Sequence, residues 1–379
     1  MRTVDAAGLK IGDEYPPRIM GVLNVSEESP YDPSVFDDPG EAAAYVDEAL
    51  IDEGADIVDV GLESANKRFE VLSAEGELDR LETAIQTLES TSGDAVWSIE
   101  TRYHEVAEAA LDAGFDMVND ICGFADPEMP VVCAEYDAAV SKMASPPDLE
   151  RPGAIENVDD IYDALARNGF TDKTILDPAF GGWSEAKTTD DDRETLDRLR
   201  EFRGYGRPIL VSINRKNFLR EVAGRETDRA LPVSLAATSM AVERGAHIVR
   251  THDVAETRDA ALIGHEFTRD RSRDVELGVE ELDITTDREF ARHKRRIDDA
   301  TDEAAVVPHV VELTLPNPSA TFLEGAAERI EMGVYHGEEL LLIGTITEYE
   351  TLHAAIRGGP KPAVDAVSSV YEDLVVSDE

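Results

Sequence analysis

RIMGVLNV, from Arg18 to Val25, is a short apolar run rich in branched residues, and such a run is typical of a buried β-strand. An amphipathic segment with helical spacing, GEAAAYVDEALIDEGA, follows from Gly40 to Ala55 and carries a glycine near its end. The next run, DIVDVGLE from Asp56 to Glu63, is again strand-like. Near-continuous apolar strands that are each followed by a helix predict parallel pairing, with the helices covering the outer face of the sheet.

The same alternation continues along the chain. Six more strand-like runs follow: AVWSIET (Ala95 to Thr101), MVNDICG (Met117 to Gly123), AAVSKMA (Ala138 to Ala144), TILDPAF (Thr174 to Phe180), PILVSINR (Pro208 to Arg215) and HIVRTHDV (His247 to Val254). Eight βα units in about 250 residues predict an α/β fold of the TIM (β/α)8 barrel type. A doubly wound open sheet is the alternative, but no GxGxxG follows the first strand.

The pattern changes beyond residue 268. A charged segment, RDRSRDVELGVEELDITTDRE, precedes a predicted order of helix, strand, helix, strand and two closing helices separated by GGPKP. We therefore predict a barrel over residues 1–268 and a small C-terminal α/β extension over residues 269–379. No cluster of chemically reactive side chains stands out in the extension, and its role stays open.

The chain is strongly acidic, with 81 Asp and Glu against 36 Lys and Arg and a formal net charge of −45. Phosphate backbones and anionic membranes would repel such a chain. The acid is spread along the whole sequence, which favours a cytoplasmic protein of a salt-accumulating organism, because concentrated salt screens the repulsion. An ordinary acidic enzyme is the alternative. The two cysteines, Cys122 and Cys133, lack metal-ligand spacing and are expected to be buried. No apolar run is long enough for export or membrane spanning.

Polar or charged residues follow almost every predicted strand. They are Asn24, Glu63, Glu100, Asn119, Asp120, Lys142, Asp177, Asn214, Arg215, Lys216, Arg250, His252 and Asp253. In a barrel the carboxyl ends of the strands meet at one mouth, where active sites are built. One polar strand end is commonly a turn residue, but the whole set predicts a site.

The cations of this set come late in the chain. Arg215 and Lys216 follow the seventh strand, and Arg250 and His252 end the eighth. Loops at these two strands often bind phosphate in TIM barrels, and arginine, lysine and histidine all donate to phosphate oxygens. The grouping predicts a polyanionic ligand. The alternative is that Arg250 or Arg215 pairs with an acidic loop residue such as Asp253 for structure alone.

Glu100, Asn119 and Asp177 end strands on the other side of the predicted mouth. A buried carboxylate is costly unless donors meet it, and a heterocycle with an amino group beside a ring N–H would supply such donors. A satisfied polar network in the core is the alternative. Asn24 has an amide oxygen that could bind a divalent ion or contact a phosphate.

Seven motifs together resemble the dihydropteroate synthases. They are IMGVLNVSEESPYD, DVGLES, SIET, NDICG, LDPAFG, NRK and RTHDV, and they occur in the family's order at predicted strand ends from about Arg18 to Phe267. The resemblance implies a pterin-binding TIM barrel. It also implies displacement of pyrophosphate from hydroxymethyl-dihydropterin pyrophosphate by the amine of p-aminobenzoate, with Mg²⁺ assisting, in folate biosynthesis. A homodimer is implied as well.

The resemblance also implies roles for individual residues. Lys216, Arg250 and His252 would be catalytic, and Asn24 would serve both the metal and the pyrophosphate, which Arg250 and His252 also bind. Glu100, which stands where the family has an aspartate, would bind the pterin together with Asn119, Asp177 and Lys216. Lys67, Arg68, Arg215 and Asn217 are the candidates for contact with the second substrate.

The sequence departs from the family at several loops. Ala65 to Arg68 replace a Thr-Arg-Pro-Gly loop, Ser141 and Lys142 replace a Met-His pair, and Asn217 replaces a serine. The altered positions lie mostly where p-aminobenzoate would bind. The alternative function is therefore a pterin-binding barrel without synthase activity, either a relative of the methyl-pterin transferases or a non-catalytic partner of a true synthase.

Overall fold

The computed structural model describes residues 1–26, 32–63, 71–181, 184, 186–271, 273–274, 279–297, 306–337 and 339–378. The chain divides into two compact units, Met1–Glu280 and Glu281–Glu379. The sequence predicted the division after residue 268. In the structure the unit that contains the barrel continues through a short two-stranded ladder to Glu280.

The first unit contains a closed ring of eight parallel strands. A hairpin of β1 (Val4–Ala6) and β2 (Leu9–Ile11) precedes the ring strands, which are β3 (Arg18–Asn24), β4 (Ile57–Gly61), β5 (Val96–Thr101), β6 (Met117–Asp120), β7 (Ala139–Met143), β8 (Thr174–Asp177), β9 (Leu210–Val211) and β10 (Ile248–Thr251). The ladders run from β8 through β3 to β10 and β9. A parallel bridge between Leu176 and Ile209 joins β8 to β9 and closes the ring. The predicted TIM barrel is confirmed.

Helices cover the outer face of the ring. They are α1 (Pro39–Tyr45), α2 (Ala74–Ser90), α3 (His104–Asp112), α4 (Met129–Glu135), α5 (Val158–Ala166), α6 (Thr189–Asp197), α7 (Asn217–Ala223), α8 (Leu231–Glu243) and α9 (Val254–Glu266), and a π-helical turn, Val46–Ile51, extends α1. Their apolar sides share one core with the outward-facing strand residues. Both cysteines are buried and unpaired, as predicted.

The inner face of the ring is arranged in layers. The lower layer, toward the amino ends of the strands, is apolar and consists of Met20, Ile57, Val96, Met117, Ala139, Ile175, Leu210 and Ile248, packed against Val4, Ala6 and Ile11 of the hairpin. Strand side chains alternate, so the residues two positions later also face inward. These are Val22, Asp59, Ser98, Asn119, Ser141, Asp177, Ser212 and Arg250, and all but Val22 are polar. The interior therefore turns polar toward the mouth.

The remaining strands and helices lie after α9. β11 (Arg273–Asp274) and β12 (Val279–Glu280) end the first unit, and the second contains α10 (Asp287–Ile297), β13 (His309–Leu313), α11 (Asn317–Arg329), β14 (Gly333–His336), β15 (Leu340–Gly344), α12 (Ile346–Ala355) and α13 (Lys361–Asp378). Its sheet is antiparallel in the order β13-β15-β14. The order predicted from the sequence has two strands in this region and omits β14, which was wrong. Glu331 has a φ of 62°, a left-handed conformation that stops the helix and lets β14 begin.

No helix in the described ranges is long and apolar enough to cross a membrane.

Candidate active site

One buried carboxylate, Asp59 on β4, connects side chains from three other strands. Ser98 Oγ donates to its Oδ1 at 2.7 Å. Asn119 Nδ2 and Arg250 Nε donate to its Oδ2 at 3.1 and 2.7 Å. Asp59 is not among the site residues predicted from the sequence, because those lie at strand ends and Asp59 lies in the middle of β4. The feature that could have identified Asp59 is a charged residue between Val58 and Val60 in an otherwise apolar strand.

Arg250 also binds a second carboxylate. Its Nη2 donates to Glu100 Oε2 at 2.7 Å. Burial raises the pKa of Glu100, and the charge of Arg250 opposes that rise. The sequence suggested separate cationic and acidic sides of the mouth, and the alternative was that Arg250 or Arg215 pairs with an acidic loop residue such as Asp253 for structure alone. In the structure Arg250 pairs with Asp59 and Glu100 instead, so the cation and the carboxylates form one cluster.

Two polar atoms of the inner layer near this cluster have no hydrogen-bond partner in the part of the chain that the structure describes. Asn119 Oδ1 and Ser141 Oγ are buried, and no described residue makes a hydrogen bond with either atom. The two residues are paired in register across β6 and β7, so they face the same side of the sheet. A buried polar group without a partner costs about 1–3 kcal/mol, and such groups are rare in folded proteins. The pair is therefore suited to a ligand that brings hydrogen-bond donors.

Two further charged residues of the site are Asp177, which is buried, and Lys216, which is partly buried. Asp177 Oδ1 accepts a hydrogen bond from Ala179 N at 2.7 Å, and burial raises the Asp177 pKa to about 6. Burial lowers the pKa of Lys216 to about 8, while the charges of Asp192 and Asp177 act against that change. Gly181 leaves room for the lysine, because a Cβ there would lie 2.9 Å from Lys216 Nζ.

A buried lysine that the sequence analysis missed holds the loop after β8. Lys187 Nζ donates to Ala179 O at 2.6 Å and lies 3.5 Å from Asp192 Oδ1. Asp192 in turn accepts from Gly181 N at 3.1 and 3.2 Å. Lys187 lies ten residues beyond Asp177, the last residue of β8, so a search for polar residues at strand ends does not find it. Lys187 and Asp192 therefore hold the backbone at Ala179 and Gly181, which lies against Lys216.

The candidates for the second substrate have different surroundings. Arg215 donates to both oxygens of Asp253 at 2.8 Å and to Thr227 O at 2.8 Å, which favours the structural role that the sequence left open for it. Asn217 is exposed at the start of α7, and its side-chain oxygen accepts from Arg220. Lys67 and Arg68 lie outside the described residues.

His252 and Lys142 differ from their predicted states. Burial and the neighbouring charge of Arg250 lower the pKa of His252 to about 3, so it is a neutral imidazole at pH 7 rather than a cation. Lys142 does not reach the mouth, because it follows the inward-facing Ser141 and so points outward. Its Nζ donates to Gly169 O at 2.7 Å and lies 4.6 Å from the centroid of the Phe124 ring.

Asn24 supplies an oxygen at the upper edge of the site. Its Nδ2 donates to Ser34 Oγ at 3.0 Å, which leaves Oδ1 on the other side of the amide. A Cβ built on Gly61 would lie 3.0 Å from Asn24 Oδ1 and 3.9 Å from Glu100 Oε1. Two oxygens therefore border the space above Gly61, and hard cations such as Mg²⁺ bind oxygen ligands.

The sequence matches a known family over this whole site. The profile of the family described as "Pterin binding enzyme" matches residues 20–252, a range that contains every site residue from Asn24 to His252. A dihydropteroate synthase of Clostridium beijerinckii is 33% identical over 250 residues, which cover 64% of this chain and 91% of that protein.

The chain belongs to the dihydropteroate synthase family of pterin-binding enzymes.

Two other relatives of this family are much longer proteins. Each is named a probable bifunctional folylpolyglutamate synthase/dihydropteroate synthase. The one from Halobacterium salinarum is 35% identical over 263 residues, and the one from Haloferax volcanii is 36% identical over 261. The aligned region covers 66% and 64% of this chain, but only 31% and 30% of those proteins. The chain therefore spans about a third of their length.

Solved structures of the family have the same fold. A dihydropteroate synthase from Coxiella burnetii in complex with pteroic acid superposes with a TM-score of 0.59 and 28% identity, covering 70% of this chain and 98% of that one. The enzyme from Thermus thermophilus in complex with 4-aminobenzoate gives a TM-score of 0.58 and 28% identity, covering 70% and 100%.

Proposed function

We propose that the barrel is a dihydropteroate synthase. In this reaction the amine nitrogen of p-aminobenzoate forms a bond to the methylene carbon of hydroxymethyl-dihydropterin pyrophosphate. The carbon–oxygen bond to pyrophosphate breaks, and the amine loses a proton. One observation carries the proposal. The inner polar layer combines two buried atoms that can accept hydrogen bonds and have no partner among the described residues, Asn119 Oδ1 and Ser141 Oγ, with the partly buried cation Arg250. A ligand with a donor-rich ring and an anionic tail requires this combination.

The pterin ring is assigned to the side of Asn119 and Asp177. A pterin presents an exocyclic amino group beside a ring N–H, and both are donors. Asp177 is an acceptor only when it is ionised, and Asn119 Oδ1 has no partner among the described residues. Glu100 borders the same pocket, and Lys216 lies beside Asp177, where its ammonium can meet an acceptor of the ring.

The pyrophosphate is assigned to Arg250, His252 and Asn24. Asp59 and Glu100 hold Nε and Nη2 of Arg250, so the guanidinium is oriented before a ligand arrives and Nη1 is left for a phosphate oxygen. Neutral His252 can donate one ring N–H without adding charge. Donors placed where the leaving group gains charge lower the barrier, and this is commonly the largest catalytic contribution. Lys216 adds a further positive charge below pH 8.

The residues around Gly61 are suited to the Mg²⁺ that the family resemblance implies. Asn24 Oδ1 and Glu100 Oε1 border one space, and both are oxygen ligands of the kind that Mg²⁺ accepts. When bound there, the ion would offset the charge of the leaving pyrophosphate. For p-aminobenzoate, Lys67, Arg68 and Asn217 remain the proposed contacts, whereas we assign Arg215 to the structural pair with Asp253.

The cellular setting is also a proposal. The spread of acidic residues supports a cytoplasmic protein of a salt-accumulating organism, and the family resemblance supports a homodimer through the barrel helices. Sedimentation equilibrium in molar salt tests the dimer, and a species of about 41 kDa would contradict it, because one chain has a mass of 41.4 kDa.

Pyrophosphate release tests the function. The purified protein is incubated in molar salt with Mg²⁺ and the dihydropterin pyrophosphate, with and without p-aminobenzoate. Release that requires the amine supports the synthase and shows that the altered loops are tolerated. Absence of release, together with pterin binding that Asp177→Ala removes, would instead identify a pterin-binding barrel without synthase activity.

A further inference from the structure

The orientation of one side-chain amide determines what the proposed pterin pocket can recognise. A carboxylate only accepts hydrogen bonds, so the group that Asn119 turns toward Asp59 must be its NH2. The 3.1 Å contact between Asn119 Nδ2 and Asp59 Oδ2 has this arrangement. The amide is planar, and Oδ1 therefore points away from Asp59. Asn119 is thus an acceptor at the ligand side of the layer, although asparagine can in general offer either group.

Asp59 is itself held in place. Arg250 Nε donates to the same oxygen that Asn119 uses, and Ser98 Oγ donates to the other oxygen. Asp59 is fully buried, so water does not compete for these contacts. Three donors from three strands fix one carboxylate, and that carboxylate fixes the amide.

We propose that Asp59 is a positioning residue that orients the Asn119 amide, so that the pocket selects the exocyclic amino donor of the ring and rejects a carbonyl acceptor at that point. This inference rests on the proposed function for the identity of the ring, and it adds the residue that sets the selectivity. Asp59 does not touch the ligand. It acts through Asn119 and controls how strongly the pocket prefers a ring with an amino donor over a ring with a carbonyl acceptor, not only how tightly the ring binds.

A pair of ligands without phosphate measures this discrimination. 6-Hydroxymethylpterin has the exocyclic amino group, and 6-hydroxymethyllumazine has a carbonyl acceptor in its place. Calorimetric titration in molar salt gives the dissociation constant of each. We expect the wild-type protein to prefer the pterin by about 100-fold or more, because a hydrogen-bonding site rejects a mismatched group strongly.

Asp59→Ala should lower this preference by about tenfold, because the released amide can rotate and offer its NH2 to the lumazine carbonyl. Asp177 still favours the pterin, so some preference remains. Asp59→Asn should keep the preference within about threefold of the wild-type value. Its amide oxygen can accept from Asn119 and Arg250 while its NH2 donates to Ser98, and Arg250, which only donates, disfavours the flipped arrangement.

The controls separate positioning from loss of structure. Asp13→Asn alters another buried carboxylate of the same unit and should leave the preference unchanged. If Asp59→Ala does not fold, Asp59→Ser takes its place, since its hydroxyl can still bond Ser98 but is too short to replace the contact with Asn119. An unchanged preference in the folded Ala or Ser variant would overturn the assignment of Asp59. Failure of the wild-type protein to bind 6-hydroxymethylpterin would overturn the proposed function, and with it this inference.

Discussion

The two ends of the barrel each contain a buried carboxylate bound to an arginine, but the two clusters are completed differently. At the amino end, Arg203 donates to both oxygens of Asp13 at 3.0 and 2.7 Å. His247 Nδ1 accepts from Ile209 N at 3.1 Å, so Nε2 carries the proton and donates to Asp13 Oδ1 at 2.8 Å. At the carboxyl end, the cluster around Asp59 leaves Asn119 Oδ1 without a partner among the described residues.

This difference separates a structural cluster from a binding cluster. Both oxygens of Asp13 and both nitrogens of His247 are used, and Arg203 Nε, a buried atom without a hydrogen-bond partner among the described residues, is a donor. Burial would raise the pKa of Asp13, but the hydrogen bonds from His247 and Arg203 outweigh it and lower that pKa. At the carboxyl end, Asn119 Oδ1 and Ser141 Oγ, which have no hydrogen-bond partner among the described residues, can both accept a hydrogen bond. We infer that the first cluster stabilises the fold and the second is completed by a ligand.

The largest expected effect is on stability. Asp13→Ala leaves a buried guanidinium without its carboxylate, and breaking such a pair costs about 3–5 kcal/mol. We expect that decrease in the free energy of unfolding, measured by denaturant titration in molar salt, with unchanged affinity for 6-hydroxymethylpterin in the folded variant. A decrease below about 1 kcal/mol, or a loss of pterin affinity, would contradict the structural role of the amino-end cluster.

The next effect is on catalysis. Lys216→Ala should reduce amine-dependent pyrophosphate release by about 100-fold or more, because it removes a positive charge where charge develops in the transition state. Lys10→Ala, which alters a partly exposed lysine near the amino end, serves as the matched control and should retain full activity. Equal rates for the two variants would show that the carboxyl-end cluster is not the reaction site.

A smaller effect is expected from pH. The Asp177 pKa of about 6 means that this carboxylate is protonated, and so loses an acceptor, as the pH falls below 6. The Lys216 pKa of about 8 means that its charge is lost as the pH rises above 8. The profile of kcat/KM against pH should therefore be bell-shaped, with a roughly tenfold fall per unit on each side. A profile that stays flat across both pKa values would contradict these roles.

The smallest effect concerns salt. The net charge of −45 is carried mostly by exposed residues, where ions screen repulsion, whereas buried pairs are screened much less. Transfer from molar to millimolar salt should lower the melting temperature of the wild-type protein and of Asp13→Asn by similar amounts. A melting temperature that does not change with salt would remove the support for a salt-accumulating source.

The sequence was sufficient for the barrel and for the strand-end residues, because both follow from local periodicity. Glu100, Asn119, Asp177 and Arg250 face the interior as expected, and the ring closes as predicted. Lys142 was placed wrongly because inward and outward faces differ by one residue, and strand ends alone do not fix that phase. In the structure Ala139 belongs to the inner apolar layer, and side chains alternate along a strand. Ser141, two residues later, therefore faces inward and Lys142 faces outward.

Other features depend on contacts between distant residues. The pair of Asp13 and His247 spans 234 positions, and no local pattern predicts it. Asp59 has its role only because Asn119 and Arg250 reach it from other strands. The hairpin of β1 and β2 has strands of three residues each, too short for a periodicity signal, although it closes the amino end of the barrel.

Pterin binding at the carboxyl end of the barrel is tested most directly by the melting temperature with and without saturating 6-hydroxymethylpterin. Three proteins are compared: wild type, Asp13→Asn and Asp177→Ala. A ligand that binds only the folded state raises the melting temperature in proportion to its binding free energy. We expect a rise for the wild type and for Asp13→Asn, from a lower starting value in the latter, and no rise for Asp177→Ala. A rise in Asp177→Ala equal to that of the wild type would contradict the claim that the carboxyl end of the barrel binds the pterin.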